Sequence, residues 1–152
     1  MYIISSNART SLPYAAQMKG GVVMKEDKLG DLSMELSVEV LKLTKELRSM
    51  HETVISGQIG RSATSICANI AESKYAHSRA DFIAKLEIAL KETNETSKWL
   101  EMLWKINDID ENRYMALDRK CSTIRFLLVK SITTSKKNMD SAKDKNNNVQ
   151  QY

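Results

Sequence analysis

From Leu29 onward, apolar residues recur at intervals of three and four: Leu29, Leu32, Leu36, Val40, Leu43 and Leu47. That period belongs to a helix that turns one face to a core. The pattern predicts three further helices. The second spans about 51–73 and carries Ile55, Ile59, Ile66 and Ile70. The third spans about 79–106 with a stripe of Phe82, Leu86, Ala89, Thr93, Leu100 and Leu103. The fourth spans about 109–134 with Tyr114, Leu117, Cys121, Ile124, Leu128 and Ile132. Capping-box spacings mark three starts: Ser49 before Glu52, Ser78 before Asp81 and Asp108 before Glu111. Connections this short make consecutive helices antiparallel neighbours. The expected fold is all-α, an antiparallel up-down-up-down four-helix bundle over residues 24–137.

The second helix departs from a single-faced pattern. Beside its isoleucines it carries small residues at the same period: Gly57, Gly60, Thr64, Cys67 and Ala71. Small side chains admit another backbone closely, and close packing would offset the cost of mid-helix glycine, roughly 1 kcal/mol. Two faces fit either a helix deep in its own bundle or one that also meets a second subunit. The third helix has apolar positions beyond its stripe, Ile88, Trp99, Met102 and Trp104. That surplus favours self-association.

Composition sharpens the fold class. The only proline is Pro13, and all five glycines precede Arg61. A β-rich chain of this length would need many more turn residues, and a glycine-rich phosphate loop has no place after Arg61. Cys67 and Cys121 stand alone, without a cysteine–histidine cluster, so they read as reduced residues of a cytoplasmic protein. The longest strictly apolar run, 126–129, is too short to cross a membrane, and the N-terminus lacks a signal-peptide pattern. Residues 1–23 show no helical period. Lys19-Gly20-Gly21 can be encoded by a ribosome-binding-like run just before Met24, so 1–23 is expected to be a disordered or non-native extension. The polar, Asn-rich segment 138–152 is expected to be a disordered tail.

A net charge of +4 conceals an uneven distribution. Residues 24–118 carry −4 and residues 119–152 carry +6, with six basic residues and no acid between Arg119 and Met139. Turning the fourth helix by 100° per residue sets Arg119, Phe126, Lys130 and Lys137 opposite Cys121. Cations interleaved with an aromatic suit a nucleic-acid backbone with a stacked base. The competing account is a solvated basic face with Phe126 in a subunit contact.

Catalytic or metal chemistry finds no comparable support. His51 and His77 have no second ligand at helical spacing, and both stand beside capping sequences. The acids Glu87, Glu92, Glu95 and Glu101 lack an accompanying Glu-x-x-His motif. Glu87–Lys91 and Glu101–Lys105 read as surface pairs, and Lys91, Lys98 and Lys105 as a solvated face. No enzyme, cofactor or metal site is expected.

The stretch from Gly60 to Glu72, GRSATSICANIAE, followed by Ser78, Phe82 and Ile88-Ala89-Leu90, resembles a known family. It is similar to the bacterial four-helix-bundle proteins encoded in intervening sequences of 23S rRNA genes, whose hallmark reads R-x-x-x-S-I-x-A-N-I-A-E-G. The likeness extends more weakly from about Leu29 to Leu128. By position, Arg61, Ser65, Asn69 and Glu72 are the motif's polar residues, and Glu95 matches a glutamate common on the third helix. With Trp99 they are expected to form an oligomer interface or a polar network that fixes register. Ser73 stands where the family usually has glycine, which leaves the end of the second helix open by a few residues. The resemblance implies a homo-oligomer, commonly a pentamer, without enzymatic activity. A similar bundle serves diversity-generating retroelements as an accessory protein that contacts reverse transcriptase and nucleic acid. RNA, or RNA with a protein partner, is therefore the expected ligand.

Overall fold

The computed structural model describes residues 27–149. The segment 1–23 and the last three residues lie outside them. The described residues form four helices and no strand: α1 (Lys28–Ser49), α2 (Val54–Ser73), α3 (Arg79–Lys105) and α4 (Glu111–Val149). Each packs on its neighbour in sequence, and α4 also closes on α1. The result is a four-helix bundle around one core. Opposing residues follow a simple rule along each seam. Across α2 and α3, Ser62 meets Thr96 while Glu72 meets Lys85. Across α3 and α4, Ser97 meets Asp118 while Glu87 meets Lys136.

The core is the set of stripes read from the sequence. Leu36, Val40, Leu43 and Leu47 of α1 meet Ile59, Ile66 and Ile70 of α2, Leu86, Leu100 and Leu103 of α3, and Ile124 and Leu128 of α4. Burying a side chain of this size contributes about 1.5–3 kcal/mol. Five stripe positions differ from expectation: Leu29, Leu32 and Ile55, near the starts of α1 and α2, are only half-buried, as are Phe82 and Tyr114. Ile83 rather than Phe82 enters the core of α3, and Tyr114 stays half-buried, its ring stacked on Trp104 at 4.9 Å. Trp104 is thus used within the chain. Ile88 and Met102 remain exposed.

The helix ends show why the boundaries were only partly legible. Ser78 caps α3 as expected: its hydroxyl accepts from the Asp81 N–H, and the Asp81 carboxylate accepts from the His77 N–H. At α2 the residue at the cap is Thr53, and the Glu52 carboxylate accepts from the N–H groups of Ile55 and Ser56. Ser49 bonds back to the Glu46 carbonyl instead. At α4 the capping carboxylate is Asp110, which accepts from the Arg113 N–H, and not Asp108. Helices α1 and α3 end in the same closure. The Glu52 N–H reaches the Leu47 carbonyl and the Asp108 N–H reaches that of Leu103, both at 2.9 Å. This double-bonded ending places one residue in the left-handed region, normally glycine. Here the residues are His51 (φ 65°) and Asn107 (φ 63°). His51 therefore ends a helix rather than starting one. α2 ends at Ser73, followed by three successive i→i+3 bonds to Ala76.

Two further expectations are corrected. Helix α4 does not stop near Thr134 but continues to Val149, through the segment expected to be a disordered tail. No glycine or proline follows Arg61 to end it. Of the two mid-helix glycines, only Gly60 is a close-packing position. A Cβ there would lie 3.2 Å from the Thr44 methyl of α1, whereas one at Gly57 would meet nothing within 4 Å.

Three substitutions test these backbone assignments by thermal or denaturant unfolding. Gly57→Ala should raise stability by about 0.5–1 kcal/mol, because it restricts the unfolded chain without a clash, and Gly60→Ala should gain less. His51→Gly should stabilise by about 1 kcal/mol, by removing a side chain from a left-handed position.

Candidate nucleic-acid interface

The outer surface of α4 is defined by what its two neighbours do not cover. Its core residues Leu117, Cys121, Ile124 and Leu128 face inward. Basic residues on either flank find partners across the seams, in most cases acids. Toward α1, Arg113 pairs with Glu46, and Lys120 reaches Glu35 at 2.6 Å and Glu39 at 2.8 Å. Burial alone would push the Lys120 ammonium down, yet its bonds to the two carboxylates leave it above the ordinary lysine range. Toward α3, Lys136 bonds Glu87 at 2.7 Å, and Arg125 donates to the Asn94 amide oxygen at 2.7 Å.

The outermost row behaves differently. Arg119, Lys130 and Lys137 are all exposed and pair with no acid among the described residues. Phe126 stands among them at 66% exposure. All four residues singled out from the sequence thus share one solvent-facing row. From Arg119 to Lys137 it extends about 27 Å at 1.5 Å per residue. Met115 and Val129 add exposed apolar surface beside it. An aromatic ring flanked by uncompensated cations can stack on a base while the cations replace the counterions of nearby phosphates.

The motif residues of α2 occupy a separate seam against α3. Arg61 donates to Glu95 at 2.8 Å and to Gln58 at 3.4 Å, and its guanidinium lies 3.8 Å from Glu92. Glu72 accepts from Lys85 at 2.6 Å, a bond that raises the Lys85 pKa. Asn69 bonds within α2, to the carbonyl and hydroxyl of Ser65. Trp99 is half-buried, and its indole N–H has no partner. Arg61, Glu72 and Glu95 therefore join helices of one chain, while Ser65, Asn69 and Trp99 make no polar bond across the seam.

Sequence reasoning missed three members of this seam. Glu92, read as a surface acid, is buried, and its Oε2 has no hydrogen-bond partner. The Ser62 and Thr96 hydroxyls bond at 2.8 Å inside the core. Ser62 and Thr96 fill the three-four spacing between Ile59 and Ile66 and between Thr93 and Leu100, which was the available signal. Of the two surface pairs expected on α3, Glu101–Lys105 forms at 2.8 Å, but Glu87 turns to α4 instead. Lys105 and Lys98 together hold the Glu101 carboxyl down at about 2. Burial pushes the Cys121 thiol up to about 12, so it is not a nucleophile at neutral pH. Among the described residues no group of three His, Cys, Asp or Glu could hold a metal, and no helix is long and apolar enough to cross a membrane.

Comparison with known proteins follows from this fold. The family model for the 23S rRNA-intervening sequence protein matches residues 25–130. A crystal structure from Bacteroides thetaiotaomicron VPI-5482, of a protein with unknown function from the S23 ribosomal protein family, is 46% identical. The match covers 68% of this chain and 97% of that one, with a TM-score of 0.67. No curated protein matches the chain.

Two outcomes check the seam and the thiol. Arg61→Ala strands the buried Glu92 carboxylate and should cost about 1–3 kcal/mol in unfolding experiments. Adding Glu92→Gln to that variant should recover much of the loss. With a thiol reagent at pH 7, Cys121 should be modified only upon unfolding.

Proposed function

The chain belongs to the 23S rRNA-intervening sequence protein family, and from that premise we propose that it binds RNA, or an RNA–protein complex, through the outer row of α4. The observation that supports this reading is the sorting of cations on one helix. Arg113, Lys120 and Lys136 are neutralised by acids on adjacent helices, while Arg119, Lys130 and Lys137 face solvent around Phe126 and pair with no acid among the described residues. Charges that served only to join helices would sit on the flanks; those on the outer row are available to an external polyanion. Sequence-tolerant, salt-sensitive binding is the corresponding mode, since the row offers phosphate contacts and one stacking platform.

In this reading the protein is a cytoplasmic, non-enzymatic homo-oligomer of antiparallel up-down-up-down bundles. The antiparallel order is supported by the seam contacts, in which partner numbers fall as the opposing ones rise. The pentamer common in the resembling family is the expected assembly. A second reading, a structural oligomer whose partner is another protein, draws on Met115 and Val129, which give the same face an apolar margin. A retroelement accessory protein that docks on a reverse transcriptase would be one such case.

Glutamine at Arg119, Lys130 and Lys137 together should weaken binding of single-stranded RNA in fluorescence anisotropy. It should also lower the slope of log affinity against log salt by about 2–3. Phe126→Ala should cost about 1–3 kcal/mol of binding with the salt slope unchanged. Unaltered affinity in both variants would remove α4 from the interface.

A further inference from the structure

The turn between α2 and α3 carries a second surface of the kind found on α4, at the end of the bundle where Lys137 lies. Its sequence sets Tyr75 between the bases Lys74 and Arg79. Tyr75 is 83% exposed, against 66% for Phe126. The ring adds nothing to the core, which is closed at this end by Ile70, Ile83 and Ile132. The backbone beneath it is fixed. The N–H groups of Lys74, Tyr75 and Ala76 donate in turn to the carbonyls of Ala71, Glu72 and Ser73. A ring already held outward loses little freedom when a partner stacks on it.

Beside the ring lies a cleft of about 580 Å³. Lys74, Arg79 and the hydroxyl-bearing Ser73, Ser78 and Ser135 line it, the half-buried Phe82 supplies an apolar wall, and no acid takes part. Its two cations differ. Lys74 bonds Asp27, whereas Arg79 is exposed and pairs with no acid among the described residues. The acids nearest to the turn are committed elsewhere, Glu72 to Lys85 and Asp81 to the His77 N–H. The start of α3 is satisfied by its own caps, since the Ser78 hydroxyl accepts from the Asp81 N–H. An anion entering the cleft therefore meets the Arg79 guanidinium, whose fork of donors matches a phosphate. Cation, ring and concavity together select a nucleotide over a bare ion.

We propose that the α2–α3 turn is a second contact for a single RNA strand, in which one base stacks on Tyr75 and an adjoining phosphate sits against Arg79 at the mouth of the cleft. The inference rests on reading the α4 row as an RNA-binding surface, and it extends that surface round the end of the bundle. Ser135 supplies the geometry. It stands two residues before Lys137, about 3 Å along the helix, and the two point about 160° apart. Row and cleft thus adjoin opposite sides of one stretch of α4. A strand leaving Lys137 reaches Arg79 by passing round a helix about 10–12 Å across. One strand that holds both sites makes the second contact intramolecular, so it binds more tightly than either site alone, provided that it is long enough to span them.

The test uses labelled oligouridines of two lengths in fluorescence anisotropy, about five and about twenty nucleotides, with circular dichroism to check folding. The short strand covers one surface at a time and the long one reaches both. Tyr75→Ala should weaken binding of the long strand by about tenfold and leave the salt slope unchanged. Arg79→Gln should weaken it as well and lower the slope by about 0.7. Tyr75→Phe keeps the stacking face and should bind as the wild type does. The short strand should lose about twofold or less in each variant, because the α4 row still takes it. Wild-type affinity for the long strand in a Tyr75→Ala, Arg79→Gln double variant would overturn the proposal. If glutamine at Arg119, Lys130 and Lys137 weakened binding in the same assay, the α4 reading would stand without it. Equal losses for both lengths would also overturn it, since turn and row would then not be bridged by the strand. A wild-type protein that binds neither strand would remove both readings.

Discussion

Each helix of this protein must hide one apolar stripe, and that constraint organises everything else. The middles of the stripes are fully used: Leu36, Leu43, Ile59, Ile66, Leu100 and Leu128 reach zero or nearly zero exposure. With every helix committed inward, the polar residues are placed by their angle from the stripe. Those near a seam find partners across it, as Lys120 finds Glu35 and Glu39 and as Arg61 finds Glu95. Those far from both seams face solvent. Surface character is therefore a by-product of the core, and residues outside that logic are candidates for work done with other molecules.

Two regions stand outside it. On α4 the outer row combines cations that no described acid neutralises with an exposed phenylalanine. At the α2–α3 turn Tyr75 stands in solvent beside Arg79 and a cleft with no acid in its lining. The two differ in place and share a chemistry. Dispersed cations with an aromatic suit a flexible polyanion. The α2–α3 seam, which holds the motif polar residues, belongs to neither region. Its ion pairs close within one chain, and the buried Glu92 beside Arg61 ties α3 to α2.

Much of this was legible in the sequence because periodicity reports directly on burial. The stripes of all four helices and the outward row of α4 follow from counting residues at 100° per step. What escaped depended on choices that local patterns leave open. Asp108 and Asp110 both offer a capping carboxylate, and only the closure after Leu103 decides between them. His51 and Asn107 occupy positions where glycine is the usual signal, so the ends of α1 and α3 carried no flag. The fate of Glu92 was hidden because a glutamate beside a stripe can be turned outward or held by a cation, and Arg61 comes from another helix. Gly57 and Gly60 look alike in sequence, and only the position of Thr44 separates them.

Ultraviolet crosslinking of the intact protein to single-stranded RNA, with peptides mapped by mass spectrometry, tests the central claim most directly. The account predicts adducts on α4, centred on Phe126 and flanked by the peptides that hold Arg119 and Lys130. Adducts confined to the α1–α2 face, or none under conditions where the RNA is bound, would contradict it.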